Sequence, residues 1–170
     1  PGPPPRAAAA TLARVAVQIA VCGPGECSPR EERWARQVGR LLAERGAVVL
    51  CGGYGGVMAA AAAGARAAGG TVVGLLSGAD RQGACPDLTV VVPTGLGQAR
   101  NAVLVNSADA VIVVGGSWGT LSELAHAMRR GTPVVALGGW RVIDAAGGPV
   151  PGVRHAATPA EAVESAWPAA

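Results

Sequence analysis

A chain of 170 residues with a formal charge of +3 suits one domain around a sizeable core, and with half its residues apolar and 15% charged it excludes a disordered body. All 14 basic residues are arginine, which excludes an internal aldimine to pyridoxal phosphate and a Walker-type phosphate lysine. There is no Phe, so the core falls to Val, Leu, Ile and Ala, a composition that suits buried parallel strands under alanine-rich helices.

The opening run Pro1 to Ala10 reads as a disordered Pro/Ala-rich tail, with a single domain over 11–170. Arg14 and Gln18 interrupt the apolar stretch that follows, so it is read neither as a leader nor as a membrane span. "VAVQIAVCG" is the first predicted strand, and "GPGEC" leads from it to a helix from about Pro29 to Arg45. Ser28 and Glu31 form a capping box there, with Pro29 at the first helical position. "AVVLCGG" is the second strand, turning through "YGG" into an alanine-rich helix over Val57–Ala68. "TVVGLLSG" and "DLTVVVP" are the third and fourth strands, and "TGLGQARNAVLVNSA" is a loop that becomes a helix. "DAVIVVGG" is the fifth strand, followed by the helix "TLSELAHAMRRG", closed by Gly131. "TPVVAL" is the sixth strand, 138–151 a glycine-rich loop, and "TPAEAVESAW" a final helix with a second box at Thr158 and Glu161.

Strands alternating with helices predict the α/β class. The expected form is a doubly wound parallel sheet, Rossmann-like, in three α/β/α layers. Ligands of such sheets sit outside the carboxyl ends of the strands, where the glycine turns fall. The first turn, from Gly23, matches only part of the dinucleotide fingerprint, because Ser28 stands at its third glycine and no acid ends the second strand. The turns Gly52, Gly53, Tyr54, Gly55, Gly56 and Gly115, Gly116, Ser117, Trp118, Gly119, Thr120 each put bare backbone ahead of a helix N-terminus, an arrangement suited to phosphate. Tyr54 and Trp118 are candidates to stack on a ring or to shield the sheet edge. Glu123 has two readings: the acid of a Thr120–Glu123 capping box, or a carboxylate meeting Arg100 over one pocket. Arg100 likewise reads as an exposed arginine of a first helical turn or as a fork for phosphate.

Cys22, Cys27, Cys51 and Cys85 lack zinc spacing and read as small buried thiols of a reduced, cytoplasmic protein. His126 and His155 give no metal spacing either, so no metal is expected. Arg30, Arg33, Arg36 and Arg40 share one helix and read as a solvated face, so neither nucleic acid nor membrane is an expected partner.

"GGYGGVMAAAAAGARAAGGTVVG" and "ARNAVLVNSADAVIVVGGSWGTLSELAHAM" resemble the Rossmann-like SLOG superfamily, long mislabelled "lysine decarboxylase". It includes the LONELY GUY phosphoribohydrolases and the molybdenum-cofactor carriers, and the resemblance spans roughly 17–137. The missing lysine rules out decarboxylase chemistry. Gly115, Gly116, Gly119, Thr120 and Glu123 correspond to the residues of the signature P-G-G-x-G-T-x-x-E, with two residues, Ser117 and Trp118, where the signature has one, and Arg100 holds the place of its upstream arginine. In a hydrolase the resemblance makes Arg100 and Glu123 the catalytic pair that cleaves the N-glycosidic bond of a nucleoside 5′-monophosphate. Val114 replaces the signature proline, and Gly97–Asn101 departs from the hydrolase arginine segment. The nearer likeness is to the carrier-like branch. That implies a binder of a nucleoside monophosphate or of the molybdenum cofactor as ligand, with no cofactor required, and a homodimer or homotetramer.

Overall fold

The computed structural model describes residues 15–168, and the tail expected over 1–10 lies outside them. The elements in chain order are β1 (Gln18–Cys22), α1 (Pro29–Glu44), β2 (Val48–Cys51), α2 (Val57–Ala67), β3 (Val72–Leu76), β4 (Val90–Pro93), α3 (Arg100–Asn106), β5 (Ala110–Val114), α4 (Trp118–Arg130), β6 (Val134–Leu137), β7 (Val153–Ala156) and α5 (Pro159–Ala166). All neighbouring strands run parallel, in the order β4-β3-β2-β1-β5-β6-β7. The chain winds outward from β1 to β4 and then returns to the other side of β1 with β5. The β1–β5 boundary is therefore the switch point, where an open crevice forms at the carboxyl ends.

Helices α1, α2 and α5 cover one face and α3 and α4 the other, which gives the three layers expected. Strand residues alternate between the two: Ile19 and Val21 join the α1/α2/α5 core, Ala20 and Cys22 the α3/α4 core. Cys22 and Cys51 accordingly point to opposite faces, and both are free buried thiols.

The helix starts follow local chemistry. The Ser28 hydroxyl accepts from Glu31 N–H at 3.3 Å, and the Glu31 carboxylate accepts from Ser28 N–H at 2.8 Å, completing the box at α1. Thr158 caps α5 in the same way, but Glu161 reaches back one residue further, to Ala157 N–H. β7 was not expected from sequence. Val153–Ala156 carries Arg154 and His155 between two half-buried ends, pairs only with β6, and follows Pro151-Gly152, so it has neither the length nor the apolar run of the strands before it.

α1 and α2 pack at backbone contact. A Cβ on Gly39 would lie 2.0 Å from the Ala61 carbonyl oxygen, and one on Gly64 1.9 Å from that of Arg36. The two glycines, one per helix, set the helix separation, and no flexible side chain is there to yield. Gly39→Ala or Gly64→Ala is expected to force the helices apart and cost on the order of 2–3 kcal/mol, lowering Tm by roughly 5–10 °C. Thermal denaturation followed by circular dichroism checks this, and an unchanged Tm in both variants would contradict the contact.

Candidate functional site

The turns after β1, β2 and β5 meet at the switch point, and what each bare Cα faces sorts the glycines. A Cβ on Gly23 would lie 2.5 Å from the Val114 carbonyl oxygen, and one on Gly56, at φ +60°, 2.3 Å from that of Pro24. Gly53, at φ +77°, faces the Leu76 side chain. These glycines let the turns stack on one another and on β3. Gly115, at φ +71°, faces the Glu31 carboxylate, and Gly116 faces the Trp140 ring. Gly25 meets only the Met58 methyl at 3.9 Å, Gly55 only the Gly25 oxygen at 3.3 Å, and Gly119 only the Ser117 hydroxyl at 3.8 Å. Of these turns, Gly25 and Gly119 leave room for something that is not protein, whereas Gly55 is held close to the Gly25 carbonyl.

Helix α4 starts at Trp118, two residues earlier than the sequence suggested. Its cap is Ser117, whose hydroxyl accepts from Thr120 N–H at 3.2 Å and lies 2.8 Å from the Thr120 hydroxyl. This overturns the Thr120–Glu123 capping box. Glu123 falls in the second turn, turned inward toward β1, with its side chain 9% exposed. Arg100, which heads α3, is buried as well, at 10%, and its Nη1 lies 3.5 Å from the Glu123 Oε1. The exposed arginine that its helical position suggested is not what the fold makes of it. The guanidinium lies flat against the Gly52 Cα, where a Cβ would come within 2.9 Å of both terminal nitrogens. Arg100 Nε is buried without a hydrogen-bond partner. Asn101 beside it is buried too.

Burial pushes the Glu123 carboxyl up to about 7, against the opposing pull of the Arg100 charge and a hydrogen bond from the Cys22 thiol. The same burial, with Glu123 adjacent, pushes the Cys22 thiol far above its usual range. Sequence reasoning missed Cys22 as a site neighbour. The available signal was its place as the last residue of the switch-point strand. It also missed Trp140, which sits in the loop after β6 and therefore at the same carboxyl edge. Tyr54 uses its hydroxyl to tie the β2 turn to the end of β3: the oxygen is 3.2 Å from the Ser77 Oγ and accepts from Gly78 N–H at 3.2 Å. Trp118 is 79% exposed and meets Trp140 edge-on, centroids 5.0 Å apart and planes at 77°. Among the described residues, no cluster of three or more His, Cys, Asp or Glu side chains could hold a metal ion. No helix there is long and apolar enough to cross a membrane.

The model of the SLOG cluster4 family matches residues 16–163, from the start of the sheet to α5. The chain belongs to that family. An uncharacterized protein of Archaeoglobus fulgidus is 43% identical over 148 residues, 86% of this chain and 92% of its own length. The structure of the molybdenum cofactor binding protein from Rippkaea orientalis superposes with a TM-score of 0.80 at 32% identity, over 89% of this chain and 96% of that one. The molybdenum cofactor carrier protein of Chlamydomonas reinhardtii gives 0.75 at 31% identity, over 88% and 95%. As a member of the SLOG cluster4 family, the chain shares its fold with these two proteins over nearly nine-tenths of its length.

The Glu123 carboxyl makes a prediction of definite sign. Unfolded, it titrates near ~4.3; folded, near 7. Between those values the native state holds the extra proton, so stability falls as pH rises through that window and levels off above it. Glu123→Gln keeps the side chain neutral at every pH. The stability of the Gln variant relative to wild type is expected to rise from pH 5 to pH 8 by on the order of 2 kcal/mol, roughly 5 °C in Tm. A Tm difference that is flat across that range would mean the carboxylate is charged at both ends.

Proposed function

We propose that this chain is a cytoplasmic, carrier-like binder of a small phosphorylated heterocycle, either the molybdenum cofactor or a nucleoside monophosphate. The observation that carries the reading is its likeness, along almost the whole of both chains, to the molybdenum cofactor binding protein of Rippkaea orientalis. The residues at the switch point fit such a ligand. The first turn of α4, with Gly119 open and Thr120 behind it, offers unpaired amides and the positive end of the helix dipole to a phosphate. Gly115 and Gly116 turn the backbone into that position, and the opposite wall is assigned to the backbone of the turn Gly52, Gly53, Tyr54, Gly55 and Gly56, whose stacking on the turn from Gly23 positions it. Arg100 supplies positive charge from below Gly52 rather than a fork at the surface. A homodimer or homotetramer is part of this reading.

One observation favours a second reading. A carboxyl held near 7 beside an arginine is the kind of group that acid–base chemistry uses, which is consistent with cleavage of an N-glycosidic bond by Arg100 and Glu123. Three features of Glu123 weigh toward binding instead. Stabilising a cationic sugar requires an ionised carboxylate facing it, whereas Glu123 is nine-tenths buried, half protonated near neutrality and already paired.

The test has two arms. Protein purified from a host that makes the molybdenum cofactor is expected to carry molybdenum by mass spectrometry, at a level approaching one per chain. Incubated with nucleoside 5′-monophosphates, it is expected to release no free base by chromatography. Base release that disappears in Glu123→Ala would replace the carrier by a hydrolase. Absence of both molybdenum and nucleotide binding would end the reading altogether.

A further inference from the structure

We infer that the planar ring of the bound molecule stacks on the Trp118 indole, which Trp140 braces edge to face, at the outer rim of the β5 turn; this rests on the binding reading above. The chain holds four tryptophans, one tyrosine and no phenylalanine, and the rings outside this pair are engaged by the protein. Trp34 lies under the Arg30 guanidinium at 4.9 Å, Trp167 under that of Arg45 at 5.4 Å, and the Tyr54 hydroxyl is held at Ser77 and Gly78. Trp118 meets Trp140 edge to face and leaves four-fifths of its surface in solvent. An indole in that position is a stacking surface without a partner.

Its place fits a ring joined to a phosphate. Trp118 is the first residue of α4, directly after the Ser117 cap and directly before Gly119, which faces open space. A phosphate on the amides of that turn and a ring on the indole are therefore one residue apart in the chain.

The support is built into the β6–β7 connection. Gly139 packs on the Gly115 carbonyl oxygen, and the Trp140 ring covers Gly116, where a Cβ would come within 2.9 Å of it. The connection braces itself: Val150 N–H donates to the Val142 carbonyl at 3.1 Å, and the Asp144 carboxylate accepts from Ala146 N–H and Gly148 N–H, both at 2.9 Å. Trp140 is thus fixed before any ligand arrives, and its contact with Trp118 holds that ring in place, which lowers the ordering cost of binding. The cleft under Trp140, between Gly116, Thr120 and Leu124, has about 10 Å³ of room. That is space for one water at most, so the ring lies on the outward face of the Trp118 indole rather than beneath Trp140.

Indoles are electron-rich, and the rings that stack well on them are flat, fused and nitrogen-rich. Purines and pterins are of that class, and guanine shares its 2-amino-4-oxopyrimidine half with pterin. GMP is therefore a suitable probe, with ribose 5-phosphate as the same molecule without its ring. By calorimetry, wild type is expected to bind GMP at least ten-fold more tightly than ribose 5-phosphate, and GMP is expected to quench tryptophan fluorescence. Trp118→Ala should abolish that preference while changing ribose 5-phosphate affinity less than two-fold, and Trp118→Phe should restore most of it. Trp118 is exposed at a helix start, so these variants keep the fold. Trp140→Ala should lose part of the preference. Equal affinity of wild type for GMP and ribose 5-phosphate overturns the stacking, as does a preference that survives in Trp118→Ala while binding itself persists. A preference that survives with a fall in oligomer size also overturns it, by making the patch a contact between copies. Failure of wild type to bind either probe or molybdenum defeats the binding reading itself, and the stacking with it.

Discussion

A guanidinium and a carboxylate buried together beneath the carboxyl ends of β1 and β2 are the constraint around which the site is arranged. Taking either charge out of water alone costs several kcal/mol; Arg100 lies beside an acid, and Glu123 meets the cost by holding its proton up to about 7. Their meeting depends on the winding of the sheet. α3 and α4 lie on the same face and both begin at the same edge, one leading into β5 and the other leaving it. The pair in turn dictates small groups around it. Gly52 has no side chain because the guanidinium fills that space, and Cys22 brings a thiol rather than a longer group against the carboxylate. At 3.5 Å the pair is close but not tightly bonded, and desolvation prevails over the Arg100 charge in setting the proton on Glu123.

The second constraint is close approach of backbone. At α1–α2 the glycines Gly39 and Gly64 set the helix separation, and at the turns Gly23, Gly53 and Gly56 let one loop rest on another. Their explanation is complete within the protein. Gly25 and Gly119 have no such close contact, and both lie in turns that leave the carboxyl edge at the switch point. A glycine-rich sequence thus contains two populations, one serving the fold and one free to face a ligand. Only the three-dimensional neighbours separate them.

Much of the fold was legible from sequence because its signals are local. Val-rich runs, glycine turns and the Ser28–Glu31 box each decide their own element, and the alternation of strands and helices decides the class. The site was legible in its parts but not in its assembly. In "SWGTLSE", Ser117 and Thr120 both qualify as caps, and choosing Thr120 gives Glu123 a local partner. What settles the matter is Arg100, 23 positions away, whose buried charge needs the carboxylate more than the helix end does. Arg100 itself looked exposed because nothing near it in the chain reports that Gly52 and Met58 will close over it. Trp140 was hidden for a related reason, since the loop that carries it shows no periodicity and its place at the rim comes from the Gly139–Gly115 contact.

The same burial that makes Glu123 a poor anion suits it to a site that receives one. When the carboxyl is protonated, the charge of Arg100 is uncancelled beneath the Gly52 backbone and the Met58 side chain. An ionised Glu123 would neutralise that charge at close range, leaving the dipole of α4 as the main attraction for a phosphate. Desolvation of the acid therefore works in favour of anion binding, through the arginine beside it. A carboxylate that had to remain ionised for chemistry would be better served by water or hydrogen-bond donors around it and by an arginine held closer. The arrangement around Glu123 is thus one in which burial outweighs the arginine in setting the proton on the acid.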